Sequence, residues 1–311
     1  MRPGGPMRQT PGTRSSRPLR QRVDVFVDAC ADLGVGPCWD PERDALAWVD
    51  IVTREVHVSD GSATLTHVVP APVGAAVPSA DGGLLLALGV SFAALDLDRG
   101  TLRGLASVSG DPQRIRMNDG KVDPAGRFWA GTTAYDGTRG EGVLYRLDGP
   151  GRARPLVAPV TVSSGLGWSP TGDRMYFVDS PRRSVAVFDF DVAGGRLGRR
   201  RTLVDTRPHA GVPGGLAVDE LGNVWVAFTD GAAVRCFDGD GGRLLAELPL
   251  PVQRPTSCAF GGPDGRLLLV TTARRGLAAQ ALAAQPLAGS VLALEPGICG
   301  PPSTPARGQG R

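Results

Sequence analysis

The chain has 311 residues, 41% of them hydrophobic and 21% charged, a balance that excludes a disordered polymer and leaves a globular protein. Its formal net charge of +3 comes from the ends, because residues 1–22 hold six arginines and residues 298–311 two, with no acid in either. Setting those eight aside leaves 26 basic against 31 acidic side chains, a mildly acidic body that argues against a nucleic-acid partner.

Residues 1–21 are rich in Pro, Gly, Ser and Arg and lack the apolar core of a secretory signal, so they are expected to form a disordered extension. From residue 22 the pattern changes. Six short turns follow at similar spacing: Asp40–Arg43, Ser79–Gly82, Asp123–Gly126, Ser169–Gly172, Asp219–Gly222 and Gly262–Gly265. Measured between their last residues, the intervals are 39, 44, 46, 50 and 43 residues. Each turn precedes an apolar, β-branched or aromatic run, such as Phe128–Trp129, Met175–Val178 and Val224–Val226, and a second strand-like run follows.

A period of about 40 to 50 residues with several strands per copy is the signature of a β-propeller, whose blades cannot bury both faces alone. The fold expected is all-β: a six-bladed propeller of four-stranded antiparallel blades over residues 22–297. The unpaired run Arg22–Val27 is expected to supply the outer strand of the last blade and close the ring. Residues 298–311, again Pro- and Gly-rich, are expected to be a disordered tail.

No apolar run is long enough to span a membrane. The five cysteines show neither metal-ligand spacing nor a disulfide framework, which points to a reduced, cytoplasmic protein. No phosphate loop, His-Glu-x-x-His helix or nucleophile elbow is present.

Function in a propeller sits where the inner strands meet at the channel mouth. Five residues before each turn the sequence reads Val35, Gly74, Asn118, Ser164, Gly214 and Ser257, a ring without a carboxylate. Seven residues after each turn it reads Asp50, Gly89, Thr133, Asp179, Thr229 and Thr272, expected at a similar height on the returning strand. Arg116 shares the face of Asn118 by strand parity. Asp179 either caps loop N–H groups or acts as a general base, and Arg116 either pairs with Asp179 or holds a ligand. Lys121, the one lysine of the chain, is expected to make an inter-blade or surface contact.

Arg116–Arg127, Ser164–Ser169, Tyr176–Ser180 and Pro255–Gly262 together resemble the gluconolactonase / senescence marker protein (regucalcin) family over roughly residues 22–297. The resemblance implies metal-dependent hydrolysis of sugar lactones on a six-bladed propeller, with a divalent cation (Ca, Zn, Mg or Mn) held by a Glu, an Asn and an Asp. Those three places are Val35, Ser164 and Gly214 here, so no metal cofactor is expected. The resemblance keeps Arg116 and Asn118 as substrate contacts and Asp136 as an acidic substrate-loop residue, with Ser164 beside them and Asp179 left as the catalytic candidate. His209 is the one candidate for a substitute ligand. The expected function is therefore a weak or altered lactone or ester hydrolase, or a metal-free binding module for a sugar lactone, polyol or sugar acid.

Overall fold

The computed structural model describes residues 22–309; the Arg-rich extension expected over 1–21 lies outside the described residues. Six four-stranded antiparallel sheets stand around one axis. Blade 1 opens with Gly34–Asp40, blade 2 with Val73–Pro78, blade 3 with Ile115–Val122, blade 4 with Ser163–Trp168, blade 5 with Val212–Val218 and blade 6 with Pro255–Gly261. Strand Val23–Val27 pairs with Val291–Leu294 and completes blade 6, so the two ends of the propeller share one sheet. Helix is confined among the described residues to a six-residue turn of α-helix, Ala279–Ala284, and a 3-10 turn, Ser180–Arg182. No helix among them is long and apolar enough to cross a membrane.

The core is six separate clusters, one at each blade–blade interface, because every sheet has an apolar neighbour on both faces. Strand periodicity sets the sorting. Phe128 packs with Phe92 of blade 2, whereas the next residue, Trp129, packs with Trp168 of blade 4. All five tryptophans are buried in this way.

The repeated turns close the lower end of the inner hairpins, and aspartate organises two of them in the same manner. Asp123 accepts from the N–H groups of Ala125 and Arg127, from Arg127 Nε at 2.6 Å and from Trp129 Nε1 at 2.9 Å. Asp219 accepts from Leu221, Asn223 and Trp225 Nε1. Both carboxylates are completely buried, and both have every lone-pair direction answered.

The C-terminal segment departs from the disorder expected of residues 298–311. Residues 299–307 form a strap beneath the channel. Cys299 accepts from Glu220 N–H of blade 5, and Gly300 donates to Gly265 of blade 6. Ala306 exchanges hydrogen bonds with Pro78 and Ala80 of blade 2, and Arg307 donates to Gly126 of blade 3. Ala306 is fully buried in the interface between blades 2 and 3. Composition reads this segment as solvated loop; its order comes from backbone partners on four distant turns, which no local pattern records. Between the strap and the inner strands lies a cavity of about 320 Å³ lined by Cys38, Trp39, Lys121, Trp168, Phe260 and Pro301–Thr304.

Candidate functional site at the upper mouth

Each inner strand carries a β-bulge near its upper end, at the height of the expected first ring. A bulge adds backbone on one strand and re-aims the residue beside it. The bulged residues form a closed circle of contacts. Gly36 stands against Gly74 O and Gly74 against Asn118 N. Asn118 Nδ2 donates to Ser163 O at 2.8 Å, and Gly165 stands against Gly214 O. Gly214 stands against Thr256 O, and Thr256 Oγ1 donates to Gly34 O. Val35, Ser164 and Gly214 each lie at a bulge of this circle. In blade 6 the bulge falls on Thr256 rather than Ser257, whose hydroxyl is directed at Gly215.

Arg116 and Asn118 meet as strand parity requires. Arg116 Nη1 donates to Asn118 Oδ1 at 2.8 Å and to Met117 O at 2.9 Å. Arg116 is half-buried and belongs to no ion pair among the described residues. Burial pulls its guanidinium down to about 10; the Tyr135 phenol opposes that shift and the Arg275 charge adds to it. Ser164 Oγ lies 2.7 Å from Ser180 Oγ, which adds a second hydroxyl to the mouth.

The second ring does not line the mouth. Its polar side chains hold neighbouring loops, some between blades and some within one. Asp50 accepts from the N–H groups of Asp32, Leu33, Val52 and Thr53. Thr229 Oγ1 donates to Pro255 O, and Thr272 Oγ1 donates to Ser290 O. Asp179, 2% exposed, accepts from Thr161 N and Val162 N and pairs with Arg182 Nε at 2.9 Å. Its partner is thus not Arg116, and the geometry favours the capping role over that of a base with a free lone pair for water.

Asp136 is exposed, and its carboxylate accepts from Thr138 N–H and Oγ1 within its own turn; the Thr138 bonds, with help from the Arg114 charge, hold its pKa below the usual carboxylate range. The His209 ring lies edge-on to Phe228 and Phe237, 5.5 Å from the latter, and burial pushes its pKa down. Neither residue touches the bulged ring. Lys121 Nζ donates to Leu216 O at 2.7 Å, a bridge from blade 3 to blade 5 lower in the channel. Beside it Asp119 is buried with one hydrogen bond, from Gly120 N–H; burial raises its pKa to about 7 against the pull of Lys121.

Comparison with known proteins follows from this geometry. The model for the SMP-30/Gluconolactonase/LRE-like region matches residues 33–274. The chain belongs to this family. Regucalcin of Gallus gallus is 35% identical over 284 residues, which cover 89% of this chain and 95% of that protein. The crystal structure of a regucalcin from Agrobacterium tumefaciens, described as a calcium-binding protein, superposes with a TM-score of 0.86 at 28% identity over 92% of this chain and 97% of that one. A luciferin-regenerating enzyme structure superposes equally well, at 27% identity over 92% of this chain and 99% of its own.

The resemblance places a divalent cation at Val35, Ser164 and Gly214. A hard dication takes six to eight oxygen ligands, carboxylates among them. Val35 offers none and packs into the interface of blades 1 and 2. At Gly214 an added Cβ would run into the Thr256 carbonyl oxygen. Ser164 is neutral, and the side-chain oxygen of Asn118 already accepts from a guanidinium. Among the described residues no group of three or more His, Cys, Asp or Glu side chains is placed to hold a metal.

The sequence reading missed Ser180. Ser180 directly follows the last strand residue before the 3-10 turn and was legible as a mouth position one step beyond the second ring.

Proposed function

We propose that the upper mouth binds a sugar lactone, a polyol or the related sugar acid through Arg116, Asn118, Ser164 and Ser180. Any lactone hydrolysis it performs is slow and independent of a divalent cation. The observation that carries this reading is the Arg116–Asn118 pair, fixed on the bulged ring, half-buried and without an acidic partner. Buried polar groups ordinarily find protein partners, so donors left facing a mouth are there for a ligand.

The same arrangement explains why catalysis is weak. A bound dication contributes several kcal/mol of Lewis-acid stabilisation to acyl transfer, and the residues at the three family positions cannot hold one. A general base needs a carboxylate within reach of water. Asp50 and Asp179 are engaged by loop N–H groups, and Asp136 by its own turn. Arg116 remains able to polarise a carbonyl oxygen. The five cysteines are all unpaired, which suits a reducing, cytoplasmic setting.

Thermal denaturation in the presence of polyols, sugar acids and sugar lactones tests the reading. Ligands that bind the native state raise Tm. At least one member of the panel is expected to do so, and Asn118→Leu is expected to abolish the shift. A flat response across the panel contradicts the proposal.

A further inference from the structure

Beneath the channel a charge stands without a counterion. The cavity of about 320 Å³ between the strap and the inner strands has aromatic walls: Trp39 from blade 1, Trp168 from blade 4 and Phe260 from blade 6, with Pro301 and Pro302 on the strap side. That size and lining suit a small molecule, since such sites are mostly apolar with a few placed polar groups. Lys121 is the one charged residue among the described residues that line it.

Lys121 is partly buried, and an ammonium carries three donors. One meets Leu216 O at 2.7 Å, and the ammonium has no other hydrogen bond and no ion pair among the described residues. Asp119, two residues back along the strand, forms no ion pair with it; burial favours the neutral form of that carboxyl. Asp123 is committed to Arg127 and Trp129, and Asp40 to Arg43 and its own turn. A charge drawn out of water is ordinarily paired, so this ammonium is poised for an anion in the cavity. Entry lies through the strap, which is fixed where Gly300 donates to Gly265 and where Ala306 donates to Pro78. Residues 301–305 between these anchors make no backbone hydrogen bond among the described residues, and three of the five are prolines with no N–H to pair. That span can move aside without breaking a hydrogen bond.

We propose that this cavity is a second ligand site, separate from the mouth, for a small apolar carboxylate. Its hydrocarbon or aromatic body lies against Trp39, Trp168 and Phe260, and its carboxylate meets Lys121 Nζ. The site is independent of the reading of the mouth. Aromatic walls disfavour a polyhydroxy ligand, whose hydroxyls would lose water without gaining partners. The ammonium favours an acid over its neutral analogue through a charge-assisted hydrogen bond. Lysine presents a compact point charge, so one carboxylate oxygen is enough.

3-Phenylpropionate and 3-phenylpropan-1-ol make the test, because they share a body and differ by a carboxylate. Isothermal titration of the full-length protein is expected to give the acid an affinity at least about tenfold above the alcohol, the size of one hydrogen bond to a charged group. Lys121→Met removes the charge and is expected to remove that preference. Because Lys121 also bridges two blades, a strap variant supplies a check that leaves the channel untouched: Ser303→Trp fills the cavity from its half-buried lining position and is expected to abolish binding of both ligands. The chain has a single lysine, so protein made with 13C-lysine gives one side-chain Cε signal, which is expected to shift with the acid. Asn118→Leu, at the mouth, is expected to change none of this. Equal affinity for acid and alcohol, binding that Ser303→Trp does not reduce, or a Cε signal that stays in place at saturating acid overturns the inference. So does binding lost in Asn118→Leu, which puts the ligand at the mouth, and so does failure of both ligands to bind at millimolar concentration.

Discussion

The two ends of the channel treat polar groups in opposite ways. At the lower end, Asp123 and Asp219 are fully buried and every oxygen is met by a backbone N–H, an arginine or a tryptophan Nε1. The strap of residues 299–307 then ties the same turns together. At the upper end, Arg116 belongs to no ion pair among the described residues, and two serine hydroxyls of blade 4 meet beside the bulged ring. One inner strand, Ile115–Val122, leads from the unsatisfied end toward the saturated one. Saturated polar networks rigidify a fold, and unsaturated ones persist where a ligand completes them. The difference separates scaffold from site without reference to any relative.

If that contrast is right, the largest effects belong at the lower end and leave the mouth intact. Asp123→Ala leaves the Trp129 N–H and two turn N–H groups without an acceptor and takes the carboxylate from the part-buried Arg127, and is expected to destabilise the fold by about 3–5 kcal/mol in denaturant titration. A loss under about 1 kcal/mol would mean the turn is not the rigid half of the molecule. Truncation after Ile298 removes the strap with its inter-blade hydrogen bonds and the buried Ala306. A loss of roughly 2–3 kcal/mol is expected, seen as a fall in Tm of about 3–5 °C, with ligand affinity at the mouth unchanged. A truncated protein as stable as the full chain would show the strap to be ornamental.

Asp119 sharpens the comparison from within the channel. Its folded pKa of about 7 lies above the value near 3.9 of an unfolded aspartate. Between those values the folded state keeps a proton that the unfolded state has lost, so stability falls as pH rises from about 4 to about 7 and levels off above. Lys121 moderates the effect. Asp119→Asn is expected to flatten that slope and to add roughly 1–3 kcal/mol near neutral pH. Unchanged pH dependence in the variant would show that the carboxyl is solvated after all. The smallest effect belongs to Ser180, where Ser180→Ala removes one neutral hydrogen bond and is expected to weaken ligand binding by no more than about fivefold, without change in Tm of the free protein.

The propeller was legible in the sequence because its signals are local. Turns such as Asp123–Gly126 and Asp219–Gly222 recur at blade spacing, and the alternation of Phe128 and Trp129 between two interfaces is a property of any strand. Val35, Asn118, Ser164 and Gly214 all lie at bulges, each at nearly the same distance from its turn. The second ring failed for a physical reason. Bulges and loop closure turn Asp50, Asp179 and Thr272 away from the axis to satisfy backbone groups of the neighbouring connection. The strap was invisible because its position depends on partners far away in sequence.

The central claim is that a guanidinium, and not a dication, organises the upper mouth. Sugar-lactone hydrolysis by chelator-treated protein, followed as Ca²⁺, Zn²⁺, Mg²⁺ and Mn²⁺ are added in turn, tests it most directly. The account predicts a low rate that none of the four ions raises. A rate that climbs with one of them and collapses on re-chelation would contradict it.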